Sequence, residues 1–230
     1  MFRLALTYWD LGEFKKAEKL EIVLVEKRKR LLGVNHSDTL LSMSNLGWTS
    51  KNLGKFKKAE KLQLFALEKQ KQLLGVDHLD TLATMGHLAA TYNELGEFAK
   101  AENLEAGVLE KRKQLLGDEH PDTLRAMGNL AVTNQKLNKF KRAEELQIFV
   151  AEKQTENLGD SHPNTLRAIA NLAVTFRNLG KVKEAEELDV TVLDKRTQLL
   201  GINHPDTLRS MANLARTCKE LGEFKKGREA

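Results

Sequence analysis

The chain has 230 residues, 41 % hydrophobic and 30 % charged, with three prolines and 6 % aromatics, a balance that fits a water-soluble, helix-rich protein and excludes a disordered or fibrous one. Its 37 basic and 32 acidic residues leave a net charge of +5 with the signs interleaved, which weakly favours acidic partners and gives no footing for obligate nucleic-acid binding. Cys218 is the single cysteine, which rules out an internal disulfide and points to a reducing, cytoplasmic setting; Met1 to Trp9 does not read as a signal peptide, and no run of about 18 apolar residues exists to cross a membrane.

From the start of the chain, one pattern returns every 42 residues. The first unit, 1–33, is partial: Met1 falls at the phase of Met43, so its first helix lacks an opening turn. Units 34–75, 76–117, 118–159 and 160–201 follow, and 202–230 is partial again, the whole forming a single repeat array over residues 1–230 whose last helix, Thr207 to Leu221, lacks a partner and is expected to fray. Gly33, Gly75, Gly117, Gly159 and Gly201 each open the phrase G-x-x-H-x-[DN]-T-L, and Gly12, Gly54, Gly96, Asn138, Gly180 and Gly222 form a second series. Asn138 is informative, because asparagine is the next-best residue at positive φ, where a helix closes. Both series therefore predict helix C-termini and two helices per unit. In the unit 118–159 helix A runs from about Thr123 to Leu137 and helix B from about Lys141 to Leu158, with Pro121 in the first turn of helix A. Basic clusters such as Lys27 to Arg30 precede the first glycine series and suit a helix C-terminus.

The packing phases are as regular. Leu4, Leu46, Leu88, Leu130, Leu172 and Leu214 share one, Leu11 to Leu221 a second, and Phe14, Phe56, Phe98, Phe140, Val182 and Phe224 a third. Small residues hold two more, Ala5 to Ala215 in helix A and Ala17 to Ala185 in helix B, which lets two helices approach to roughly 8–10 Å. The phrase N-L-A-V-T-x-x-x-L-x-K-F-x-x-A-E-E-L, from Asn129 to Leu146, resembles the tetratricopeptide repeat. At 42 residues it is similar to the long repeats of kinesin light chains and to the C-terminal arrays of fungal NACHT or NB-ARC receptor-like proteins. The resemblance covers the whole chain. It implies an all-α fold, an α-solenoid in which antiparallel helix pairs wind into a right-handed superhelix, and a scaffold that holds a peptide or protein ligand and has no catalytic role.

In related arrays helix A lines a concave groove. At 100° per residue the side of helix A opposite Leu124, Met127 and Leu130 carries Arg125, Asn129, Val132 and Lys136. The same stripe carries Leu41, Asn45, Trp48 and Asn52 earlier in the chain, and Arg167, Asn171 and then Arg209, Asn213 later. The early stripe is apolar with a tryptophan and the later one basic. Candidate peptide-binding residues are therefore Asn45, Asn129, Asn171 and Asn213, whose amides both donate and accept; Arg125, Arg167 and Arg209, which fork onto carboxylates or phosphates; and Trp48 as an aromatic anchor. Each has a plainer alternative, a solvated face for the asparagines and arginines and helix packing for Trp48. His87 interrupts the asparagine series and Arg3 stands at its start. The expected ligand is an extended, acidic segment with an apolar or aromatic part, as kinesin light chains take.

Other chemistry is weaker. His36, His78, His120, His162 and His204 recur once per unit, and stacked helix pairs place them about 10 Å apart or more, too far to share one metal ion, so each is expected to satisfy a loop at the start of helix A. Thr7 to Thr217 recur likewise and read as structural. No cofactor or metal motif appears. Repeat arrays can read RNA, but the near-constant asparagine phase and small charge argue against it. End-to-end self-association into an oligomer is the alternative role.

Overall fold

The computed structural model describes residues 2–226, with side chains from residue 3 to residue 222. Among the described residues every regular element is helical: α1 (Phe2–Asp10), α2 (Phe14–Leu32), α3 (Ser37–Asn52), α4 (Phe56–Leu74), α5 (Leu79–Glu94), α6 (Phe98–Leu116), α7 (Pro121–Lys136), α8 (Phe140–Leu158), α9 (Pro163–Asn178), α10 (Val182–Leu200) and α11 (Pro205–Lys226). The chain divides into two compact units, 1–115 and 116–230.

In both units a 16-residue helix alternates with a 19-residue one. Each long joint is closed by a histidine. The rings of His36, His78, His120, His162 and His204 accept, at Nδ1, the backbone N–H two residues on, at 3.1–3.2 Å, which caps the first turn of α3, α5, α7, α9 and α11. The histidine ladder is thus a row of helix caps, and no cluster of three or more metal-ligating side chains occurs among the described residues.

The two glycine series do different jobs. α3 ends in a Schellman motif: Lys55 N–H reaches the Ser50 carbonyl at 2.9 Å and Gly54 N–H the Lys51 carbonyl at 2.9 Å, with Gly54 at φ 73°. Asn138 closes α7 in the same way at φ 58°. The other series departs from the expected left-handed helical conformation. Gly33, Gly75, Gly159 and Gly201 lie at φ 82–90° and ψ 161–167°, an extended mirror region open almost only to glycine. That difference explains why asparagine enters one series and not the other. Gly222 breaks the pattern: it has no positive φ, and α11 runs through it to Lys226 instead of stopping at Leu221. No packed partner helix rewards a chain reversal there among the described residues.

In unit 1, Val25, Leu40, Met43, Leu46 and Ala66 form one core cluster across α2, α3 and α4, and Leu67, Leu88, Ala89, Tyr92 and Ala101 a second across α4, α5 and α6. Unit 2 buries the matching phases, among them Leu124, Leu130, Val150, Leu166, Leu172 and Val192. Ala17, Ala59, Ala101, Ala143 and Ala185 are all 0 % exposed, so the helix-B alanines are contact points at which any larger side chain would push helices apart. The aromatic phase is half-buried at Phe14, Phe56, Phe98 and Phe140; Phe224 lies outside the described side chains. A polar ladder crosses the helices as well: Thr91 donates to Gln63, Thr175 to Gln147 and Thr217 to Asp189, all buried. Thr91, Thr175 and Thr217 are thus structural, each giving a buried side-chain oxygen a hydrogen-bond donor.

Candidate functional site

The site is clearest in unit 2, where α7, α8 and α9 enclose a cleft of about 210 Å³. One wall is the α7 stripe Arg125, Asn129 and Val132; the other is Arg167 and Asn171 from α9; Val150 and Gln154 of α8 form the floor. The cleft continues toward the helix starts into a second hollow of about 500 Å³, reaching Asp122, Asn157 and His162. Four candidates from the sequence, Arg125, Asn129, Arg167 and Asn171, therefore meet around one cavity. The 3.6-residue period puts Arg125 and Asn129 one turn apart on the face of α7 that Leu124, Met127 and Leu130 leave free when they pack inward. Arg209 and Asn213 occupy the same phases on α11 and do not line this cleft.

The charges around the cleft are unequal. Arg125 lies 2.7 Å from the Asp122 carboxylate and Arg209 3.6 Å from Asp206, each a partly neutralised, exposed pair. Arg167 meets a neutral partner at the same position, donating to Asn164 Oδ1 at 3.4 Å. Among the described residues its guanidinium has no carboxylate partner. The side-chain amides of Asn129 and Asn171 have no hydrogen bond within the chain among the described residues; at Asn171 it is the backbone carbonyl that accepts from the Gln135 amide.

Unit 1 presents a different surface. Trp48 on α3 stacks on His87 of α5, ring centroids 4.8 Å apart at 26°, with Lys51 Nζ 4.1 Å from the indole centroid. Burial lowers the Lys51 pKa below its ordinary value, and the Glu94 charge partly opposes that shift. Below the rings, Thr84 donates to Ser44 at 3.0 Å, and Ser44 lies 3.1 Å from His87 Nδ1. The tryptophan is half-buried and packs on the neighbouring helix, which leaves less of its face for a ligand than a protruding anchor would have. Asn45 sits half-buried one turn before it.

Sequence reasoning missed Gln154, Asn164 and Ala168. The clearest signal was Asn164, which stands alone at a phase held by Asp38, Asp80, Asp122 and Asp206; Gln154 shares its phase with Gln70 as well as Arg28, Arg112 and Arg196, and Ala168 shares its phase with Ala126 as well as Ser42, Thr84 and Ser210.

Residues 3–38, 39–80, 81–122 and 123–164 match one tetratricopeptide-repeat model and residues 164–229 a second, together spanning nearly the whole chain. Among solved structures, a kinesin light chain candidate of Podosopora anserina with nearly identical tetratricopeptide-like repeats is 26 % identical, with a TM-score of 0.72 over 86 % of this chain and 94 % of that one. A point variant of the same protein gives 0.73 at the same identity, over 86 % and 93 %. BtubC (BKLC) from P. vanneervenii is 24 % identical with a TM-score of 0.74 over 94 % of this chain and 87 % of that one, a likeness of fold. No curated protein matches the sequence. No helix among the described residues is long and apolar enough to cross a membrane.

Proposed function

Because the chain belongs to the tetratricopeptide-repeat family, a non-enzymatic scaffold for protein interactions, we propose that it holds an extended, acidic peptide segment of a partner protein in the α7–α8–α9 cleft of unit 2. Arg125 and Arg167 receive carboxylates, and the Asn129 and Asn171 amides bond the peptide backbone. Arg209 and Asn213 carry the same pair of functions on α11. On unit 1 the Asn45 and Trp48 stripe takes an apolar or aromatic side chain. The observation that carries the reading is Arg167, a cation in a concave site whose position-matched carboxylate has been replaced by Asn164.

The test is an array of acidic, aromatic-containing and neutral peptides probed with the wild-type chain and with an Arg125/Arg167/Arg209→Ala variant. Selective capture of acidic peptides that the variant loses supports the reading. Equal capture by both proteins removes the arginines from it.

A second reading, end-to-end self-association, draws on Leu4 and Leu208. Both occupy phases buried in every inner repeat, yet they are 47 % and 50 % exposed. Sedimentation mass that rises with concentration, and stops rising in Leu208→Asp, is its signature.

A further inference from the structure

Resting on the reading of the unit 2 cleft as a peptide site, we infer that its floor is a specificity pocket for a side-chain carboxamide, an asparagine or glutamine flanked by acidic residues. The argument starts from a comparison within the unit. At the joint of α10 and α11, Arg196 fills the space between helices, its guanidinium donating to the Asp206 carbonyl at 3.2 Å and to the Ser210 hydroxyl at 2.8 Å. In unit 1 Arg28 does the same with the Asp38 carbonyl at 2.8 Å and the Ser42 hydroxyl at 2.6 Å. At the joint of α8 and α9 the matching residues are Gln154 and Ala168, and Gly128 of α7 stands where α9 has Ala170. All three residues are smaller than their counterparts and all three line the cleft. The cavity is the space a guanidinium occupies elsewhere in the fold.

That space also lacks the guanidinium donors that Arg28 and Arg196 supply at their joints. Gln154 is 8 % exposed, and its Oε1 is buried with no hydrogen-bond partner, the kind of unpaired acceptor that folded proteins rarely leave. A ligand that enters must supply an N–H. A cation is disfavoured, because Arg125 and Arg167 flank the cleft and Asn164 has removed the carboxylate that Asp206 offers beside Arg196. A carboxylate on the floor meets the lone pairs of Gln154 Oε1 as the amide stands and gains a hydrogen bond only if the amide turns over. A carboxamide is neutral, brings both a donor and an acceptor, and pairs with Gln154 whichever amide atom the glutamine turns toward it. Gln70, at the same phase in unit 1, is 0 % exposed and beyond the reach of a ligand. Carboxylates on either side of the amide then meet Arg125 and Arg167.

The test measures binding of the full chain to three capped nonapeptides, four glutamates on each side of a central glutamine, alanine or glutamate, by calorimetry. The wild type is expected to bind the glutamine peptide about tenfold more tightly than the alanine peptide, the worth of one well-satisfied hydrogen-bonded pair. Gln154→Arg with Ala168→Ser copies the Arg196–Ser210 joint and refills the cleft. Its thermal melt verifies that it folds, and it is expected to bind the glutamine and alanine peptides equally. Equal binding of those two peptides by the wild type, with Arg125/Arg167→Ala weakening both, overturns the carboxamide pocket and leaves the acidic groove standing. Retention of the glutamine preference in the refilled variant overturns its location. Failure of the wild type to bind any of the three overturns the groove reading together with the pocket.

Discussion

Glu21→Gln should raise the stability of unit 1 at neutral pH and flatten its pH dependence. Glu21 on α2 is 9 % exposed, and its Oε2 has no hydrogen-bond partner. Burial lifts its pKa from the ordinary 4.5 to about 7; the nearby Thr49 hydroxyl opposes the shift and the Glu18 charge adds to it. Glu18 is itself engaged by Lys55 at 2.6 Å and Lys58 at 2.8 Å, so it remains an anion. The folded-state pKa is raised. Below about pH 4.5 the proton is bound in both states and costs nothing. Between there and about 7 the unfolded chain ionises while the folded one holds its proton, so stability falls as pH rises and stays low above that window. At 1.36 kcal/mol per pH unit the loss amounts to about 3 kcal/mol. Gln63 and Gln147 occupy the same phase and accept from Thr91 and Thr175, so a glutamine fits the site. Both tryptophans, Trp9 and Trp48, lie in unit 1, so their fluorescence during urea unfolding follows the unit that contains Glu21. The expected result is a wild-type midpoint that falls from pH 5 to pH 8 and a variant midpoint that barely moves. Parallel profiles for the two proteins would refute the reasoning.

The glycine series can be separated by one substitution each: Gly180→Asn should cost little, since Asn138 already serves that phase, whereas Gly201→Asn, at φ 82° and ψ 163°, should cost about 1–3 kcal/mol although no atom lies within 4 Å of a Cβ at either position. Thermal melts of the two variants check this, and equal losses would mean that backbone conformation is not the difference. Leu130→Ala removes a side chain only 8 % exposed in unit 2 and should cost about 2–5 kcal/mol by denaturant titration.

Much of the helix pattern was legible because each unit repeats its own instructions. Proline at the first turn of α7, α9 and α11, the Schellman turns and the alanine contact phases are local or nearest-neighbour features, and 42-residue periodicity multiplies their signal. The arginine and asparagine stripe was legible for the same reason, since helical phase alone puts Arg125 and Asn129 on one face. Phase did not reveal which of those residues share a cavity. Arg167 gains its character from a neighbour three residues away, Asn164, and Arg209 loses part of its charge to Asp206 through an equally short step. Trp48 reads as an exposed anchor on a wheel, yet it stacks on His87, 39 positions further along the chain.

The sequence by itself determined the repeat, the two-helix unit, the positions of the caps and the composition of the exposed stripe, because all of these depend on backbone preference and on spacing within one helix. Only the tertiary structure decided that α11 passes through Gly222, that Glu21 is buried without a counter-charge, and that Gln154, Ala168 and Gly128 line a cleft where Arg28 and Arg196 fill the α2–α3 and α10–α11 joints. Each of those outcomes depends on volumes and charges contributed by several helices at once, and a space between helices is set by all the side chains that border it.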